Sequence, residues 1–197
     1  MSLPKLSTAR EVLARYERRI DATTDPRHKA WLKTYRDHWW GEVINDVEMV
    51  MDTMSHGPIS YTFDGHPFMT PEDSLANITD RAGTRAMYEG VVELGVRMAG
   101  PVDDERIFFD EHGIAVTCVL SAIYPGVFLT KHTEPVDPAG FYLARWPNVT
   151  IVRFDEDGLM MGEDIFNGAP VEVRQVRKDQ IDSLVDGPLP AAEETFA

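Results

Sequence analysis

Cysteine is nearly absent: Cys118 is the single one in 197 residues. That excludes an internal disulfide and a cysteine-rich zinc site. Positive charge is also scarce. Lys+Arg number 19 against 33 Asp+Glu, a formal net charge of −14. A nucleic-acid interface neutralises phosphates with a basic face, so that class of partner is disfavoured, and an anionic membrane surface with it. No apolar run approaches the roughly 20 residues of a membrane helix. The segment Met1-Ser2-Leu3-Pro4 lacks a basic stretch followed by an apolar one, so no signal peptide is expected and the expected location is cytoplasmic. Also missing are a Gly-rich phosphate loop and a Gly-x-Ser-x-Gly elbow, which disfavours nucleotide chemistry and serine hydrolysis. There are no internal repeats.

What is present is the composition of a folded domain, 43% hydrophobic and 26% charged. Helical periodicity dominates the first half and strand-like alternation the second, which implies an α+β fold rather than alternating α/β units. Val12, Leu13, Tyr16 and Ile20 share one side of a helix over 8–20, and Asp25-Pro26 interrupts the chain. Leu32, Tyr35, Trp39, Val43, Val47, Val50 and Met54 then recur at spacings of three and four, an amphipathic stripe over 31–54. Asp46 within it is a candidate N-cap where one helix ends and another begins.

His56-Gly57-Pro58 stops the helix, with His56 read as its C-terminal residue favoured by the dipole. A short strand over 59–63 closes at Asp64-Gly65, and Thr70-Pro71-Glu72-Asp73 is a helix start. A further helix is expected over 83–98. Strands follow at 106–111, 113–124, 140–145, 149–155 and 159–166, with Asp157-Gly158 as a hairpin turn. Residues 125–138 form an irregular connection. The expected domains are an N-terminal helical extension (1–30), the α+β domain (31–170) and a partly disordered tail (171–197). Such helices must lie against one face of a curved, mostly antiparallel sheet, and a strongly bent sheet under helices encloses a cone-shaped cavity.

Several residues are candidates for chemistry. His38, Glu42 and Asp46 fall at i, i+4 and i+8, one row on a helix. A carboxylate one turn from an imidazole orients it and raises its basicity, which suits a general base. The alternative reading of the same row is a solvated flank with Asp46 as a cap. Helical His-x-x-x-Glu supplies only two metal ligands, so no metal is expected, nor any other cofactor. Asp64 is either a base at the cavity mouth or turn chemistry. Pairing about Asp157-Gly158 sets Val152 opposite Glu163 and Ile151 opposite Asp164, so the two acids point to opposite faces. Whichever faces the cavity is desolvated, and its pKa rises. Trp39, Tyr61, Phe63, Tyr124 and Phe141 are candidate cavity walls or ordinary core. Cys118 has no basic neighbour and is a core residue.

The closing hairpin, Val149-Thr150-Ile151-Val152-Arg153-Phe154-Asp155-Glu156-Asp157-Gly158-Leu159-Met160-Met161-Gly162-Glu163, follows Val127-Phe128-Leu129 and the loop from Pro135 to Gly140. This order resembles the nuclear transport factor 2-like superfamily, and within it the SnoaL-like polyketide cyclases and their ketosteroid isomerase relatives, over residues 31–169. The resemblance implies the cone fold. It also implies a choice between a cofactor-independent cyclase, isomerase or dehydratase acting on a small apolar molecule and a non-catalytic ligand-binding or dimerisation module. In the isomerases an aspartate after the first strand is the base, where Asp64 stands, while a tyrosine and a protonated aspartate donate to the oxyanion. Those two donor positions hold His38 and Thr150, which argues against steroid isomerisation by that mechanism. In the cyclases a late-strand acid serves, matching Glu163 or Asp164. Relatives pair through the outer sheet face. Strand 114–124 is apolar on both sides, so a homodimer is expected.

Overall fold

The computed structural model describes residues 6–65, 78–98, 104–130 and 136–185. Helix α1 (Ala9–Ala22) opens on a capping box: Thr8 Oγ1 accepts from Glu11 N, and Thr8 N donates to Glu11 Oε2. Its Ala9, Val12, Tyr16 and Ile20 are buried in the main core, so α1 packs as part of the α+β body. Asp25-Pro26 begins helix α2 (Pro26–Ile44) and does not merely interrupt the chain. The Asp25 carboxylate accepts from Arg27 N and His28 N, and Pro26 occupies the first turn, where no N–H is needed.

The helix ends at Asn45 in the left-handed region (φ 57°). Asp46 then caps α3 (Val47–Asp52), its Oδ1 accepting from Met49 N at 3.0 Å, as its position suggested. Gly41 makes the fold-back possible, because a Cβ there would sit 2.8 Å from Val50 Cγ2. Helix α3 stops at Asp52, so His56 is an exposed loop residue beyond it.

Strand β1 (Thr62–Asp64) starts later than the sequence suggested, and Tyr61 forms an isolated bridge with Ile78. The helix start at 70–73 lies outside the described residues. Helix α4 (Arg81–Glu93) is shorter than expected: Gly95 (φ 70°) terminates the turn, and Met98 belongs to strand β2 (Arg97–Met98).

Strands β3 (Arg106–Phe109), β4 (Gly113–Pro125), β5 (Phe141–Phe154), β6 (Met160–Asn167) and β7 (Glu172–Val176) complete a sheet ordered β1-β6-β5-β4-β2, with β3 on β4 and β7 on β5. Among these strand pairs only β1–β6 is parallel. The long β4–β5 pair changes partners halfway. One half is flanked by β3 and β6, the other by β2 and β7. This changeover lets the sheet bend around the helices. Pro147 lies at it, and β5 is one strand through Pro147 where the sequence suggested two. The missing N–H is tolerated between the β7 and β6 segments, where the ladder is interrupted.

The connection before β5 contains a short helix, α5 (Gly126–Leu129). Residues 172–185 are not tail: β7 pairs with β5, and α6 (Lys178–Val185) packs on α1 with Ile181 fully buried. The ion pair of buried Arg145 with half-buried Glu172, at 2.9 Å, anchors that strand.

Candidate functional site

Between α2, α3, α4 and the inner sheet face lies a cavity of about 290 Å³, lined mainly by apolar side chains, among them Phe63, Met87, Val91, Met98, Tyr124 and Trp146. Strand alternation sends Glu163, Ile165 and Asn167 of β6 into it. The expected register holds, Val152 opposite Glu163 and Ile151 opposite Asp164. Glu163 is the acid that faces inward and is 7% exposed. Asp164 faces outward, accepting from Thr62 Oγ1 at 2.7 Å and lying 3.6 Å from Arg153 Nη2. Asp64 is exposed at the end of β1 and does not line the cavity. Neither aspartate is positioned for chemistry there.

His38 is 1% exposed, which removes the solvated-flank reading for it. Its ring is held from both sides: Nδ1 is 2.8 Å from Thr53 Oγ1, and Nε2 is 2.8 Å from Tyr88 Oη. Thr53 Oγ1 already donates to the Val50 carbonyl at 2.6 Å. It can therefore only accept from the imidazole, which places the His38 proton on Nδ1 and leaves Nε2 as an acceptor. Glu42 does not touch His38 directly. Its Oε1 is 3.7 Å from Nε2, and Tyr88 bridges the gap with its hydroxyl 3.0 Å from Glu42 Oε1. The expected row of three also breaks, since Asp46 is spent as the α3 cap.

Tyr88 carries one proton and has two claimants. If it went to Glu42, the buried Nε2 lone pair would face a hydroxyl without a hydrogen. If it goes to Nε2, a protonated Glu42 donates to the Tyr88 oxygen and every group is satisfied. Burial pushes Glu42 up to about 7, partly opposed by its hydrogen bond with Tyr88. Burial drives His38 down to about 3 despite the nearby Val50 carbonyl, so the ring is neutral. Burial, then repulsion from Glu42, raises Glu163 well above the usual carboxylate range. Two facing carboxyls in an apolar setting share a proton rather than both ionise. Tyr61 joins the cluster, its hydroxyl 3.3 Å from that of Tyr88.

His38, Glu42 and Glu163 present ligand-capable atoms within 4.8 Å of one another. The sequence offered two such groups on the helix, and β6 supplies a third. A small divalent ion needs its donors at about 2.0–2.2 Å, and His38 Nε2 is committed to Tyr88. Tyr88 joins two members of this trio, His38 and Glu42, and Glu163 stands outside that hydrogen-bonded chain.

Of the expected wall residues, Tyr61, Phe63 and Tyr124 line the cavity; Trp39, Phe141 and Thr150 do not. Trp39 packs on Tyr16 with ring centroids 5.6 Å apart. Phe141 is half-buried against the core at the start of β5. Thr150 is buried and donates to Asn148 Oδ1 at 2.9 Å. Cys118 is inert, its thiol pushed up to about 12 by burial and then by Glu105. Tyr88 and Asn167 are site residues that the sequence pattern did not single out. Asn167 is legible two by two from Glu163 along β6. Tyr88 sits beside Met87 in the α4 stripe, where the apolar neighbours dominate the pattern.

No family model matches the chain, and no curated protein matches it. Solved structures do. A protein of Jannaschia sp. CCS1 described as a SnoaL-like polyketide cyclase superposes with a TM-score of 0.51 at 13% identity, over 84% of this chain and 99% of that one. A protein of Streptomyces avermitilis described as a dehydratase from the NTF2-like family gives 0.50 at 12% identity, over 74% and 99%. The epoxide hydrolase/cyclase-like enzyme SalBIII of salinomycin pyran ring formation gives 0.51 at 13% identity, over 72% and 92%. The fold is the one these nuclear transport factor 2-like structures share. No helix among the described residues is long and apolar enough to cross a membrane.

Proposed function

We propose that this SnoaL-like protein is a cofactor-independent enzyme of the cyclase, isomerase or dehydratase kind, moving protons on a small, largely apolar molecule held in the cavity. The observation that carries this reading is the convergence of Glu42 and Glu163 in a mainly apolar cavity, with Glu42 linked through Tyr88 to His38. A carboxyl pair holding one proton offers an acid and a base at neutral pH. Glu42, bound through Tyr88 to the neutral His38, keeps the proton. Glu163, aimed at the ligand, accepts one from substrate carbon or oxygen. Thr53 and the Val50 carbonyl fix the imidazole tautomer, so Tyr88 remains a donor toward Nε2 and an acceptor toward Glu42.

The test works without a named substrate. A panel of apolar ketones is incubated with the protein in D₂O, and exchange of protons beside the carbonyl is followed by NMR. Exchange above the buffer rate, reduced by about 10²–10⁴-fold in Glu163→Gln, is the expected result. Binding of panel members without exchange in the wild-type protein favours the alternative, a non-catalytic ligand-binding module.

A further inference from the structure

Among the described residues, Glu163 is the buried polar side chain of the cavity to which no hydrogen bond is donated. Its carboxyl accepts no hydrogen bond from any described residue, although it is 93% buried and lines the cavity. Glu42 has Tyr88, Asp46 has the Met49 amide, and Asn167 accepts from Trp146 Nε1 at 2.7 Å and Asn148 Nδ2 at 3.0 Å. Buried polar groups in folded proteins are satisfied by something. For Glu163, the cavity side is where a partner can come from.

The surroundings restrict that partner. Among the described residues lining the cavity, three carry carboxyls (Glu42, Asp46 and Glu163) and none is Lys, Arg or His. An anion entering would meet these groups without a compensating cation among the described lining residues. Six aromatic residues, Tyr61, Phe63, Tyr88, Tyr124, Phe128 and Trp146, also line the cavity, and aromatic faces attract an organic cation. An ammonium also supplies N–H donors to a carboxylate in the strong, charge-assisted form. Its presence would hold Glu163 ionised beside the protonated Glu42.

From this geometry we infer that the cavity takes an apolar organic cation, a molecule whose hydrocarbon body fills the aromatic wall and whose one protonated amine sits on Glu163. The inference rests on the cavity being the substrate site and specifies the charge of what enters it. The ammonium sits on Glu163 and brings its neighbouring carbon or oxygen to that carboxylate, the proton acceptor of the proposed reaction, while Glu42, Tyr88 and His38 remain as a proton-holding chain.

Three probes of one shape separate the possibilities: 1-naphthylmethylammonium, 1-naphthalenemethanol and 1-naphthoate, titrated calorimetrically into the full chain at neutral pH. The ammonium is expected to bind at least about tenfold more tightly than the alcohol, with no measurable binding of the carboxylate. In Glu163→Gln the ammonium should lose about tenfold while the alcohol changes little. Circular dichroism verifies that the variant is folded, and Glu42→Gln serves as the second variant should it not be. Equal affinity for ammonium and alcohol, or an ammonium preference that survives Glu163→Gln, overturns the inference and leaves the proposed function standing. If none of the three probes binds, both fall, since the cavity is then not a site for apolar ligands.

Discussion

The Tyr88 hydroxyl lies 2.8 Å from His38 Nε2 and 3.0 Å from Glu42 Oε1, joining a neutral imidazole to a carboxyl it does not itself touch. The first measurable consequence is the tautomer. Long-range ¹H–¹⁵N correlation spectra should show His38 protonated at Nδ1 alone, and this state should persist from pH 8 down to about 5, because burial lowers the His38 pKa to about 3. An imidazolium spectrum near pH 6 would contradict the proton chain proposed above.

Removing the bridge is a sharper test. Tyr88→Phe leaves Nε2 buried with no donor and Glu42 with no acceptor, at a stability cost of about 1–3 kcal/mol. Because the substitution keeps the ring, the cavity keeps its shape. Turnover should fall by roughly 10²-fold or more. A variant that keeps full rate, with Tm lowered, would confine Tyr88 to a structural part.

Stability should depend on pH in a direction set by the acids. Glu42 and Glu163 have folded pKa values raised by burial. The folded protein therefore holds a proton that the unfolded chain releases, and the stabilisation is complete below the ordinary carboxylate range. It is lost as pH rises through about 7, the value for Glu42. His38 acts in the opposite sense, its contribution falling as pH drops from 6.5 toward about 3. Above pH 6.5 the carboxyls therefore act alone. Thermal unfolding scans should show Tm declining between about pH 6.5 and 8.5. Glu163→Gln should flatten that decline and raise Tm at pH 8.5 by several degrees, at roughly 2–4 °C per kcal/mol for a chain of this size. An unchanged slope in Glu163→Gln would count against burial of a shared proton.

Much of this site is legible in the amino-acid sequence, and the parts that are not share a cause. Asp157-Gly158 fixes the hairpin register, and with it the opposition of Glu163 and Asp164. Which acid turns inward stays open at that level, because both stand beside apolar residues on each strand; the sheet's curvature decides it. Asp46 is legible as a cap because capping is local. Pro147 misleads because proline breaks a ladder only where a ladder is present, and β5 changes neighbours there. Residues 172–176 carry alternation too short to stand out, and their strand exists because the β5 edge accepts it. Tyr88 is hidden because its partners, His38 and Glu42, lie 50 and 46 residues away. Helical periodicity can place a ring on a face but cannot say what its hydroxyl meets.

The outer sheet face bears on assembly. Phe108, Val149, Ile151 and Phe166 are 37–54% exposed on neighbouring strands, and Ala115 separates Phe108 from Ile151 in one cross-strand row. Apolar patches of this kind on a sheet mark interfaces. A homodimer through this face is expected, and Ile151→Asp should convert it to monomer in light scattering without changing far-UV circular dichroism. A wild-type mass near 22 kDa at micromolar concentration would exclude it.

Gly90 gives the last prediction. It lies inside α4, where glycine costs about 1 kcal/mol relative to alanine. No packing contact demands it: a Cβ built there would meet no heavy atom within 4 Å, and the residue lines the cavity. The open space over Gly90 belongs to the cavity proposed to hold the ligand, on the same helical face as Met87 and Val91. Gly90→Ala should therefore raise Tm by a few degrees and leave probe affinity nearly unchanged, since one methyl adds little volume. Gly90→Leu should also preserve the fold, but its side chain would occupy the cavity and weaken binding of a two-ring probe by about tenfold or more, while a single-ring probe is spared. If Gly90→Leu bound both probes as the wild type does, the ligand would not pass over α4. The position would then be open to solvent only, and the bound molecule would be confined to the part of the cavity at Glu42 and Glu163.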